Sequence, residues 1–167
     1  MMESARRSAN HYKHNNQKNH GADNNNKRMP VQTMIKEQYK YSELTSKIIG
    51  CAMAVHKALG NGFQEVIYQR ALAIEFTFQG IQFVREQEME LFYREQPIGT
   101  RRVDFFAEGK VMVEIKAIEQ LLEVHKAQAI NYCEAYNIAD GLLINFGSTS
   151  LDFKRVYNKN LVNPKIT

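Results

Sequence analysis

Residues 111–118, VMVEIKAI, constrain this chain more than any other stretch. The run is apolar and β-branched like a core strand, yet Glu114 and Lys116 stand in its middle, two residues apart. Side chains alternate across a strand, so Val111, Val113, Ile115 and Ala117 face one way and Met112, Glu114 and Lys116 the other. Glu114 and Lys116 are then neighbours about 7 Å apart on one face. Burying a carboxylate and an ammonium costs several kcal/mol each unless they are paired or liganded. Either this face is open to solvent, as in any half-buried sheet, or the two charges belong to a site.

The preceding strand bears on that choice. RRVDFFA (101–107) runs into VMVEIKAI through Glu108 and Gly109, a hairpin signal. A two-residue loop would set Asp104 opposite Val113, on the wrong face. A three-residue loop of Ala107, Glu108 and Gly109, with the glycine left-handed, sets Asp104 opposite Met112. Glycine at the third loop position favours the latter, so Asp104, Glu114 and Lys116 are expected to project together. Two carboxylates and a lysine suit a hard divalent cation, Mg²⁺ or Mn²⁺, which takes oxygen ligands. Such an ion polarises a phosphodiester and acidifies a bound water. Lysine, with an ordinary pKa near ~10.4, is a poor base. It is better suited to orient the attacking water or to stabilise charge developing on a phosphate.

Around this hairpin the chain reads as one folded unit from about Tyr41 to Asn158. Leu44, Ile48, Cys51, Ala52, Val55 and Leu59 recur at helical spacing up to Gly60. Phe63, Ile67, Ala71, Ile74 and Phe78 give a second helix, stopped by Gly80. Strand-like runs follow at 81–87, 89–95, 101–107 and 111–118, with Pro97 and Gly99 separating the second from the third. A third helix is expected over about 121–136. GLLINFG (141–147) has the apolar run of a covered central strand, and LDFKRVYN (151–158) reads as an edge strand. The order α-α-β-β-β-β-α-β-β is an α+β or mixed α/β core.

The charge balance says little about the core. Residues 1–30 carry six basic and two acidic side chains, which is the whole of the net +4; the rest is balanced at 16 of each sign. The pI therefore reports the tail. Residues 1–33, rich in Asn, cannot bury a core and are expected to be a disordered tail. His11, His14 and His20 lie there, more simply solvated than metal-binding, and Met29 and Met34 stand just before the first structured residues as candidate alternative starts. No apolar stretch approaches the ~18–20 residues of a membrane helix. The N-terminal residues lack the apolar stretch of a secretory signal. Cys51 and Cys133, far apart and without a second ligand nearby, read as reduced packed thiols of a cytoplasmic protein rather than a zinc site.

An aspartate followed by Glu-x-Lys on adjacent strands resembles the PD-(D/E)xK nuclease superfamily. GFQEVIYQRAL, with Gly62, Glu65 and Tyr68, is similar to the signature of its GxxExxY branch. MAVHKALGNGF (53–63), HKAQAINY (125–132) and GLLINFG look like the same family, so the resemblance spans about residues 42–158. It implies a restriction-endonuclease-like core, a mixed central sheet flanked by helices. It implies that Asp104 and Glu114 hold the metal with the Ile115 carbonyl, that Lys116 is the catalytic lysine, and that Glu65 completes the acidic cluster. Gln128 and Tyr132 form a QxxxY pattern like that of the exonuclease branch, where it contacts nucleic acid. Val103 replaces the proline that gives the superfamily its name.

Plainer readings stand beside these. Glu65 suits a helix N-terminus on macrodipole grounds alone. Tyr68 is better placed to pack or hydrogen-bond than to react. Gly62 permits a tight turn. His125 shares a helix face with Gln128 and Tyr132, which could hold phosphate or stack a base, although a lone histidine there is more often a helix-end residue. Arg102, with Arg101, either contacts phosphate or pairs with Glu88 or Glu90.

The expectation is a Mg²⁺-dependent nuclease (Mn²⁺ substituting) that hydrolyses phosphodiester bonds, in DNA before RNA, with water as nucleophile. The competing readings are a nucleic-acid-binding or adaptor module of weak or no turnover, and a purely structural ion cluster. The neutral core lacks the many phosphate contacts on which duplex binding rests. A homo-oligomer or larger complex therefore stays open as the active form.

Overall fold

The computed structural model describes residues 41–162. The polar segment 1–33 and its three histidines lie outside the described residues.

Helices α1 (Ser42–Leu59) and α2 (Glu65–Phe78) form where the apolar spacing predicts them. Helix α1 buries Ile48, Ile49, Ala52 and Val55, but α2 buries Tyr68, Leu72 and Phe76 rather than the expected Phe63, Ile67, Ala71, Ile74 and Phe78. Phe63 precedes the helix, and Ile74 and Phe78 are exposed because the neighbouring stripe is the one that meets Phe105 and Phe146. Strands β1 (Phe83–Tyr93), β2 (Gln96–Ala107) and β3 (Val111–Lys116) follow, then α3 (Glu123–Ala135), β4 (Asp140–Asn145), β5 (Asp152–Tyr157) and the short α4 (Lys159–Val162). The sheet runs β1-β2-β3-β4-β5, with β3 and β4 parallel and the other neighbours antiparallel. It is the mixed sheet expected, because α3 carries the chain from β3 back to the start of β4. That central strand, β4, is buried at every position, and β5 lies at the edge, as their compositions predict.

Alternation divides the core in two. Phe105, Val113, Ile115, Leu142 and Ile144 pack with α1 and α2, whereas Met112, Leu143 and Val156 pack with Ala129, Tyr132 and Cys133 of α3. Cys51 and Cys133 are free and buried. Among the described residues no helix is long and apolar enough to cross a membrane.

Three expectations about the strands need correction. The runs 81–87 and 89–95 are one strand, and the chain turns at Arg94 and Glu95, both with positive φ, not at Pro97 and Gly99. Pro97 is tolerated inside β2 because it pairs with Phe92 where the register shifts, and there the ribbon has only two strands. Only residues 105–107 of β2 pair with β3, so the outer part of β1–β2 stands beyond the sheet as an arm. The β2–β3 register also differs. Ala107 belongs to the ladder opposite Val111, and Phe106, not Asp104, faces Met112. Glu108 (φ +53°) and Gly109 (φ +62°) are both left-handed, and the Lys110 N–H closes the turn on the Ala107 carbonyl at 2.9 Å. Glu108 is held in this uncommon conformation by Gln82: its N–H donates to the Gln82 carbonyl, and its carboxylate accepts the Gln82 N–H, both at 2.8 Å.

Candidate active site

The β2–β3 ladder ends at the Phe105–Val113 pair. At the next rung the Asp104 carboxylate takes the place of a ladder bond, its Oδ2 accepting the Ile115 N–H at 2.7 Å. Here the alternation of β2 also breaks. Val103 packs on the α3 side although Phe105, two residues on, packs on the α1–α2 side. Glu86, level with Asp104 on β1, has φ +49° and leaves that rung unpaired. The kink that releases the arm from the sheet is thus the feature that aims Asp104 at β3.

Asp104 Oδ1 accepts a hydrogen bond from Gln69 Nε2 at 3.0 Å, and Gln69 Oε1 accepts one from Arg85 Nη2 at 2.8 Å. Glu114, only 8 % exposed, meets Lys116 through Oε1 at 2.7 Å. Its Oε2 is buried without a hydrogen-bond partner. Glu65 is the first residue of α2, so the helix start points it toward this cluster.

Burial pushes the Asp104, Glu114 and Glu65 carboxyls above the ordinary carboxylate range. The Asp104 charge adds to the rise at Glu114 and Glu65, Glu86 adds to it at Asp104, and Lys116 opposes it at all three, joined at Asp104 by the Ile115 N–H and Gln69. Burial pulls the Lys116 ammonium down, but contact with Glu114, backed by Glu65 and Asp104, reverses this and holds it above the usual lysine range. Lys116 is therefore a cation at neutral pH, placed to stabilise negative charge rather than to take up a proton.

A cleft of about 550 Å³ opens at this point, lined by Glu65 and Gln69 from α2, by Asp104 and Glu114 from the sheet, and by Glu86, Glu88, Thr100, Arg101 and Arg102 from the arm. Arg102 faces Glu88 in the register yet forms no ion pair with it. Gln128 donates to the Tyr132 hydroxyl at 2.6 Å, and Tyr132 is nearly buried in the α3-side core. Neither lines the cleft. His125 Nδ1 accepts the Leu122 N–H at 3.0 Å and caps the start of α3. The structure thus gathers Glu65, Asp104, Glu114, Lys116 and Arg102, whereas Gln128, Tyr132 and His125 do not line the cleft: the first two bond each other and His125 bonds Leu122. Ile115 has a fully buried side chain and offers only its backbone.

Gln69 and Arg85 escaped sequence reasoning. Gln69 stands one helical turn after Glu65, and that i, i+4 spacing was the available signal. Arg85, on the edge strand, gave none.

Among the described residues no group of three His, Cys, Asp or Glu side chains is placed to hold a metal ion by itself. A divalent cation nevertheless fits the donors present. Glu114 Oε2 is a buried oxygen lacking a partner, the charges of Asp104 and Glu65 act on the Glu114 carboxyl, and every donor is a hard oxygen.

A family model described as the PD-(D/E)XK nuclease superfamily matches residues 42–156. No curated protein matches the sequence. Among solved structures, the crystal structure of SSO0001 is 16% identical, covering 75% of this chain and 61% of that one, with a TM-score of 0.47. The chain thus spans less than two thirds of the length of that relative.

Proposed function

The chain belongs to the PD-(D/E)XK nuclease superfamily, and on that premise we propose that it hydrolyses phosphodiester bonds of nucleic acid, DNA first, with a divalent cation. The observation that carries this reading is the buried, unpartnered Glu114 Oε2, on a carboxylate that lines one cleft with Asp104 and is paired with the Lys116 cation. We assign the nuclease-like domain to residues 41–158 and place the chain in the GxxExxY branch on Gly62, Glu65 and Tyr68.

In this reading Asp104 and Glu114 hold Mg²⁺ or Mn²⁺ with the Ile115 carbonyl, and Glu65 contributes directly or through water. When bound, the ion supplies Lewis acidity and a water of lowered pKa. Burial raises the proton affinity of these carboxylates, so protons compete with the cation for them as pH falls. Lys116 holds its charge against the phosphate as negative charge develops there. Arg102 and Arg101 position the phosphate backbone from the arm, a role that carries no sequence information. Gln128, Tyr132 and His125 would contact nucleic acid only where it extends past the cleft toward α3.

Five carboxylates in the cleft lining face two guanidinium groups, a balance that opposes tight binding of a polyanion, and the alternative is a nucleic-acid-binding or adaptor module of weak or no turnover. Labelled single- and double-stranded DNA and RNA, incubated with Mg²⁺ or Mn²⁺, separate the two. Cleavage by wild type that is lost in Asp104→Ala and Lys116→Ala supports a nuclease. Binding without cleavage supports the module, and equal cleavage by all three proteins removes this site as the catalyst.

A further inference from the structure

The Asp104 carboxylate is held at both oxygens, and the two holds differ in kind. Oδ2 is fixed by a backbone donor, the Ile115 N–H, which belongs to the sheet itself. Oδ1 is fixed by a side-chain amide, that of Gln69, which is only 6 % exposed. An amide has a donor end and an acceptor end of nearly the same shape. Rotated by half a turn, Gln69 would set Oε1 against Oδ1, two acceptors facing each other. The acceptor-only carboxylate favours the first polarity, and Arg85 fixes it from the other end. A guanidinium only donates, so its contact with Oε1 at 2.8 Å obliges Nε2 to face Asp104. Arg85 is itself steadied above the Phe105 ring, 6.0 Å from its centroid, on the residue it faces across the ladder.

We propose that Gln69 and Arg85 act as a two-residue positioning relay that sets the orientation of the Asp104 carboxylate and thereby the affinity of the site for a divalent cation. This rests on the metal-site reading above. The relay joins β1, α2 and β2, the elements that meet where the arm leaves the sheet. Hydrogen-bond partners that orient a ligating side chain typically govern ~10–100-fold in metal affinity.

The test titrates Mn²⁺ into the full-length protein and follows free Mn²⁺ by electron paramagnetic resonance, with a thermal melt of every variant. Gln69→Met keeps the length and removes the amide, and is expected to weaken Mn²⁺ binding about 10–100-fold. Arg85→Met is expected to weaken it in the same direction and by less, and Arg85→Lys, which still donates, to restore most of it. The double variant should bind as Gln69→Met does, because Arg85 works through Gln69. Wild-type affinity in Gln69→Met, or additive losses in the double variant, would overturn the relay while leaving the metal site standing. No Mn²⁺ binding by wild type would overturn both. If the melt shows Gln69→Met unfolded, the exposed Arg85 pair of variants decides: equal affinity of Arg85→Met and wild type overturns the relay.

Discussion

Glu114 spends one oxygen on Lys116 at 2.7 Å and leaves the other in the protein interior without a donor. A buried polar atom left unmet costs about 1–3 kcal/mol, so the residue is set for a partner rather than for stability. Removing Lys116 makes matters worse. Lys116→Ala leaves a buried carboxylate uncompensated, which costs about 3 kcal/mol, and thermal melts should show the loss. The penalty should shrink as pH falls, because Glu114 already has a raised proton affinity and neutralises readily. The same variant should lose about 10²-fold or more in cleavage rate in the nuclease assay. At this scale the sequence was informative. Glu-x-Lys within an apolar run announced two charges on one strand face, but nothing in it said which oxygen would lack a partner.

Among the elements, the turn between α1 and α2 holds the start of α2, and so Glu65, in place. Gly62 has φ +101°, a conformation that side chains other than glycine rarely adopt. The Tyr68 ring stacks on Phe146 at 4.7 Å, its hydroxyl donating to the Gly60 carbonyl at 2.9 Å and accepting the Phe63 N–H at 3.1 Å. Tyr68→Phe keeps the stack and removes both bonds, so chemical denaturation should report a loss of about 1 kcal/mol per bond. The β1–β2 arm supports a different prediction. If Arg101 and Arg102 each touch a phosphate, each change to Ala should weaken DNA binding irrespective of sequence. The slope of log affinity against log salt should fall by about 0.9 per arginine. Equal slopes in fluorescence anisotropy titrations would remove the arm from the interface. The arm was misread in the sequence because Pro97 and Gly99 are breakers in an interior strand but not in a two-stranded exposed ribbon.

For the whole molecule, the carboxylate cluster links folding to pH and to metal. Asp104, Glu114 and Glu65 bind protons more tightly in the fold than in the unfolded chain, chiefly through burial. A group whose folded pKa is raised contributes stability below its unfolded pKa, and that contribution is lost as pH rises through the folded value. The metal-free cluster should therefore favour the fold near pH ~4 and strain it at neutral pH. A divalent cation that binds only the folded state at a hundred times its dissociation constant adds about 2.7 kcal/mol. The rise in melting temperature with Mn²⁺ over chelator should be large at neutral pH and vanish toward pH ~4. A rise independent of pH would place the ion away from these carboxylates.

Periodicity alone determined helix α1, the extent of α2 though not its buried face, the buried run of β4 and the charged face of β3, because helical and strand periods are local properties of the chain. Glu114 and Lys116 were legible as candidates for the same reason and Asp104 from the hairpin, whereas Glu65 was named only through the family resemblance. Only the tertiary structure decided how they meet. The hairpin register turned on Gln82 steadying a left-handed Glu108, a contact 26 residues away. The aim of Asp104 turned on a kink shared by two strands. Gln69 and Arg85 joined the site, and Gln128, Tyr132 and His125 stayed out of the cleft lining, because three-dimensional packing, not spacing along the chain, sets which donor reaches which oxygen.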